Sequence, residues 1–143
     1  MTTSPAQPTT AALPLIDLGT FRQLVDRLQA QHPASADRIE RGAAIVFAHG
    51  RILETDTLGV YRVESCQTAG TFYTVTTASC ACPDAVRAPQ GYCKHVAAVE
   101  LLTAASVIAS RQQRERLACA RPIAYQLTPH AEVVLATLRA RSA

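Results

Sequence analysis

Apolar residues recur at helical spacing across Leu18–Gln31, at Leu18, Phe21, Leu24, Val25 and Leu28, with Arg22, Asp26 and Arg27 between them. Side chains three and four apart share a helix face, so this stripe predicts one amphipathic helix. His32-Pro33 ends it, because the residue before a proline avoids helical backbone angles. A second helix is predicted to open at Ser35, with Asp37 in its first turn. It should bury Ile39, Ala43, Val46 and Phe47, and stop at Gly50 as a left-handed cap. The period then changes. Segments 51–55, 59–64 and 71–77 are rich in Val, Ile, Tyr and Thr, and Asp56-Thr57 and Thr68-Ala69-Gly70 supply turns between them. These features predict a three- or four-stranded antiparallel meander. Val60, Arg62 and Glu64 alternate with Tyr61 and Val63, so one face should be wet. The last strand is expected to run on towards Ser79, and 83–90 to be a loop bounded by Pro83, Pro89 and Gly91. Val96, Val99, Leu101, Leu102, Val107 and Ile108 then predict a long helix, broken at Ala120-Arg121-Pro122. A final amphipathic helix is expected over 129–140.

The fold class expected is therefore α+β, in four stretches. Residues 1–14, uncharged and rich in Thr, Pro, Ala and Gln, read as a disordered tail. Residues 15–50 hold the N-terminal helices, 51–110 the meander and the beginning of the long helix, and 111–143 a basic helical extension. With no Trp and only three Phe among 143 residues, the core must rest on Leu, Val, Ile and alanine. A core of that kind is small, and gains from a staple such as a bound metal. Charge is unevenly placed: residues 1–86 carry six basic and eight acidic groups, residues 87–143 eight basic and three acidic. The basic half suits a polyanionic partner or a solvated helix face. No basic n-region opens the chain, and the longest apolar stretch, 96–109, is interrupted by Glu100, Thr103 and Ser106. Neither a secretory signal nor a membrane span is expected, which points to the cytoplasm.

In a reducing compartment, five cysteines read as metal ligands rather than disulfides. Cys80, Cys82, Cys93 and His95 are spaced as C-x-C, ten residues, then C-x-H. Three thiols and an imidazole are a complete set for a tetrahedral structural zinc ion, one per chain. Cys80 and Cys82 are two apart, so in extended backbone both sulfurs point to one face. Cys93 and His95 are also two apart, and on a helix that spacing would turn them about 200° from each other. The consistent solution sets Cys93 just before the long helix and His95 in its first turn, where backbone N–H groups favour thiolate charge. Three thiolates around Zn²⁺ leave a net charge of −1, which Lys94 and Arg87 would offset.

Cys80-Ala81-Cys82-Pro83-Asp84, followed by Cys93-Lys94-His95 and an apolar helix, resembles the SWIM-type zinc finger. The similarity extends over about 36–104, because the helix and meander of 38–75 look like the lead-in of small stand-alone SWIM-domain proteins of bacterial type. The resemblance implies a zinc-clamped ββα unit used for DNA binding or for contact with another protein.

Other residues carry weaker signals. Cys66 and Cys119 read as incidental thiols, and His32, His49 and His130 as element-end residues. Arg111, Arg114, Arg116 and Arg121 are either a solvated helix face or phosphate contacts. Tyr73 and Tyr92 read as packing residues before base-stacking ones. No nucleophile elbow, phosphate-binding glycine loop or paired carboxylates occur, and Glu100 is the one carboxylate shortly after His95. No small-molecule substrate is evident and an enzyme is not expected. The leading function is nucleic-acid binding, with Arg87, Lys94 and the later arginines meeting phosphates. The rivals are a protein-binding adaptor and a redox or metal-transfer role for the C-x-C pair.

Overall fold

A computed structural model describes residues 9–48 and 51–119. The chain divides into two compact units, Met1–Gln112 and Gln113–Ala143. The first contains a four-stranded antiparallel sheet in the order β1-β2-β3-β4, together with the helices that cover it.

Helix α1 spans Leu18–Gln31 and buries Phe21, Val25 and Leu28, one side chain per turn on one face. Asp17 caps it: one carboxylate oxygen accepts from the Thr20 N–H (2.8 Å) and the other from the Thr20 hydroxyl (2.6 Å). Leu18, expected in the stripe, is 73% exposed, because it precedes the turn that meets the core. A short 3₁₀ turn at Pro33–Ser35 leads into α2, Ala36–Phe47. Ile39, Ala43 and Val46 are buried as the pattern predicted. Phe47 is not: it is 52% exposed and meets the Phe21 ring edge-on, 4.8 Å away. The expected Gly50 cap and the helix over 129–140 lie outside the described residues.

The sheet is built from β2 (Ile52–Glu54), β3 (Tyr61–Glu64) and β4 (Phe72–Val75), with β1 (Thr9–Thr10) on its edge. Thr9 pairs with Glu54 and Thr10 with Leu53. A strand thus occurs where the composition suggested only a tail. Edge pairing uses backbone groups, so it needs no apolar alternation. Ile52 faces Val63, which faces Tyr73, and Tyr61 faces Val75. Partners directly opposite share a face, so these five form the inner side, where Ile52, Val63 and Val75 are buried. On the outer side Arg62 lies over the Phe72 ring at 5.2 Å.

Chain reversal follows β4 rather than the continued strand expected. The Thr76 hydroxyl oxygen accepts from the N–H groups of Ala78 and Ser79 at 3.1 and 3.0 Å, and this local turn returns Cys80 to pair with Val75. The expected loop at 83–90 instead contains a short helix, α3 (Pro83–Arg87), and a 3₁₀ turn at Pro89–Gly91. Pro83 at the first helical position and Asp84 in the first turn start α3.

Helix α4, Lys94–Cys119, has its first turns in the middle of the first unit. His95, Val96, Ala97, Ala98, Val99, Leu101, Leu102 and Ala105 are all buried, so the helix is enclosed on every side there. Helix α2 crosses this part closely at Gly42. A Cβ on Gly42 would lie 2.8 Å from the Ala97 Cβ and the Lys94 carbonyl oxygen, and 2.9 Å from the Ala98 nitrogen. Only glycine lets the two backbones approach this far. Among the described residues, no helix is long and apolar enough to cross a membrane.

Candidate metal centre

Three elements converge on one point. The Thr76–Ser79 turn delivers Cys80, the start of α3 delivers Cys82, and the start of α4 delivers Cys93 and His95. One ligand atom from each of these four residues lies within 4.8 Å of every other. Cys82, Cys93 and His95 are buried and Cys80 is half-buried. Cys93 sits immediately before α4, its carbonyl accepting the Ala97 N–H at 3.1 Å, and His95 lies in the first turn. This is the placement the two-residue spacing demanded.

One donor separation matches the edge of a tetrahedral site. Cys80 Sγ lies 3.7 Å from His95 Nδ1, and ligands at ordinary zinc–sulfur and zinc–nitrogen lengths stand roughly 3.6 Å apart on a tetrahedron. Nδ1 is therefore the imidazole nitrogen turned to the thiols. Nε2 is buried without a hydrogen-bond partner among the described residues, and the Tyr73 ring tilts against the imidazole at 5.4 Å. One metal ion is compatible with the cluster.

The thiols are electrostatically unequal. Cys93 is held down to about 4, first by the hydrogen bond from Cys80, then by His95 and by the N–H groups of Val96 and His95 at the helix start, against an opposing effect of burial. Cys80 is pushed up because it supplies the proton in that bond, and burial adds to this. Cys82 is pushed up mainly by burial, against the lowering effect of its side-chain hydrogen bond with Cys80. The Cys82 N–H, donated to Cys80 Sγ at 3.4 Å, acts on Cys80 and only partly offsets that thiol's rise. Without metal the site therefore carries one thiolate and two thiols, and binding an ion would release their protons.

The surroundings brace the centre. Tyr92 is buried, stacks on His32 at 4.2 Å and donates its hydroxyl to Glu100 at 2.5 Å. Burial, then the Glu100 bond, keeps this phenol protonated. His32 at the end of α1 thus reaches the loop before Cys93. The sequence hinted at the end of a helix but not at this contact. Arg38 pairs with Asp84 in α3 at 3.5 Å.

Of the basic residues expected to meet phosphates, Arg87 and Lys94 come together. They line a polar cleft of about 240 Å³ that also touches Cys82 and His95. Arg41 lines it too, and nothing in the linear pattern connected Arg41 with this region. Arg111 is exposed on α4 near the end of the first unit, while Arg114 and Arg116 are exposed side chains of the second. Arg121 lies outside the described residues. Cys66 and Cys119 are exposed and belong to no metal-ligand cluster among the described residues.

Compared with models of protein families, with curated proteins and with solved structures, the chain finds no match.

Proposed function

We propose that this chain is a zinc-stapled, non-enzymatic nucleic-acid-binding module of the SWIM type, working in a reducing compartment such as the cytoplasm. The observation that carries the metal reading is the convergence of Cys80, Cys82, Cys93 and His95. When bound, zinc would neutralise two of three thiolate charges and fix α3 and the start of α4 against the sheet, adding folding free energy that the small core lacks. Four protein ligands leave no open coordination position, and Glu100 is engaged by Tyr92, which argues against catalysis at the metal. The order C-x-C then C-x-H ahead of an apolar helix supports the SWIM-type reading, and Arg87 and Lys94 beside the cluster support a polyanionic partner.

The test combines metal analysis with a gel-shift titration. About one zinc per chain is expected, together with DNA affinity that falls steeply between low and physiological salt. Negligible retardation at both salts removes the nucleic-acid reading and leaves the metal reading intact. One observation favours the alternative, a protein-binding adaptor: Leu13, Leu15, Leu18 and Phe47 are exposed beside two neighbouring apolar clefts that share Leu13 and Val46. That alternative predicts salt-tolerant binding of a protein and none of DNA.

A further inference from the structure

The polar cleft beside the metal centre has walls from three places: Arg41 on α2, Ser65 and Gln67 after β3, and Arg87 and Lys94 around the cysteine loop. The other three clefts described are lined mostly by apolar side chains. Among the described residues no ion pair engages Arg41, Arg87 or Lys94, whereas Arg22, Arg38 and Arg51 are each paired with a carboxylate. The single carboxylate lining the cleft, Asp84, is already bonded by Arg38. With Asp84 offset by Arg38 and a loaded cluster at net −1, the three cations Arg41, Arg87 and Lys94 still leave the cleft at net +2. Arg41 uses its Nε on the Asp37 carbonyl at 3.2 Å, which holds the guanidinium by one edge. Ser65 is buried, and its hydroxyl oxygen accepts from the N–H groups of Gln67 and Thr68 at 3.2 Å. Ser65 and Gln67 thereby add a polar lining held by local backbone hydrogen bonds.

The geometry points to a binding site for a phosphate group, gripped by Arg41, Arg87 and Lys94. Guanidinium groups match phosphate oxygens two at a time, and an ammonium adds a point charge. The volume, about 240 Å³, is below the ~300–1,000 Å³ of ordinary small-molecule pockets. It suits one phosphate with its water rather than a whole cofactor. The phosphate belongs either to a nucleic-acid backbone, which rests on the function proposed above, or to a small phosphorylated molecule, which does not.

Zinc-loaded full chain would be titrated with inorganic phosphate, pyrophosphate and a short oligonucleotide, followed by amide NMR shifts, with chloride at matched ionic strength as control. Arg41 and Arg87 are exposed, so Arg41→Gln/Arg87→Gln should keep its zinc and its melting temperature, and Lys94→Gln gives an independent variant. The expected result is phosphate-specific shifts at Gln67, Arg87 and Lys94, and at least a tenfold loss of affinity in the double variant. The slope of log affinity against log salt for the oligonucleotide should become shallower by about one. Binding of phosphate and pyrophosphate without the oligonucleotide upholds the cleft and overturns the nucleic-acid reading. Oligonucleotide binding unchanged in both variants, with no phosphate-specific shifts, overturns the cleft and spares that reading. No response to any of the three ligands overturns both.

Discussion

Gly42→Ala should destabilise the protein, although the same change in an ordinary helix interior stabilises by about 1 kcal/mol. The added methyl would stand 2.8 Å from the Lys94 carbonyl oxygen and the Ala97 Cβ, and 2.9 Å from the Ala98 nitrogen. Two of these three atoms are backbone of the first turns of α4, fixed by the helix that also carries Cys93 and His95, so they cannot swing aside as a side-chain tip would. Overpacking of this kind costs about 2–3 kcal/mol. Set against the propensity gain, the net loss is roughly 1–2 kcal/mol. With a urea dependence of about 2 kcal/mol per molar, the unfolding midpoint falls by roughly 0.5–1 M. Because α4 shifts its metal-binding turn, zinc affinity measured against a chelator should drop by up to about tenfold. Ala44→Gly, at an exposed position of the same helix, is the control: it should cost about 0.5–1 kcal/mol and leave zinc affinity alone. A Gly42→Ala protein more stable than the parent would refute the close crossing of α2 and α4.

Cys82→Ser and His95→Ala should each lose zinc and cooperative unfolding together, read by metal analysis and circular dichroism. Retention of a sharp melt without metal would show that the core stands without the ion. Tyr92→Phe removes the 2.5 Å bond to Glu100 but keeps the stack on His32, and a loss of about 1–2 kcal/mol is expected in urea unfolding. In metal-free protein Cys93 lies near 4 when folded against an ordinary thiol value of 9.0. The unfolded chain therefore binds more protons across that interval, so this thiol's contribution is complete above 9.0 and is lost as pH falls towards 4. Cys80 is displaced upwards and acts oppositely, losing its contribution as pH rises above the ordinary value. Because metal-free protein is not expected to unfold cooperatively, the readout is helix content by circular dichroism across a pH series: it should rise towards that value, and Cys93→Ser should flatten the acid side of the profile.

What was legible in the sequence follows from which interactions are periodic. Phe21, Val25 and Leu28 mark α1, and Tyr61, Val63, Tyr73 and Val75 mark the inner sheet face, because burial repeats with the local period. The four metal-site residues could be read because their chemistry is rare and their spacing excludes a shared helix. β1 was hidden, since Thr9 and Thr10 pair through backbone alone. The 83–90 segment concealed α3 because five residues are too few to show a stripe. Phe47 sits where the stripe extends past the end of the core. The His32–Tyr92 stack, the Gly42 crossing and the approach of Arg41 to Arg87 and Lys94 join distant parts of the chain, and no local pattern encodes them.

The four clustered residues fall within one short run from Cys80 to His95, turned by Thr76 and by the two short helical segments. Closing so small a loop costs little chain entropy. The run can therefore gather around a cation while the sheet and α1 are still unformed. An ion that also associates with the denatured ensemble stabilises the native one by less than its affinity implies. For this protein, the metal can seed assembly as well as deepen the final free-energy minimum, the second by less than its affinity for the folded chain implies.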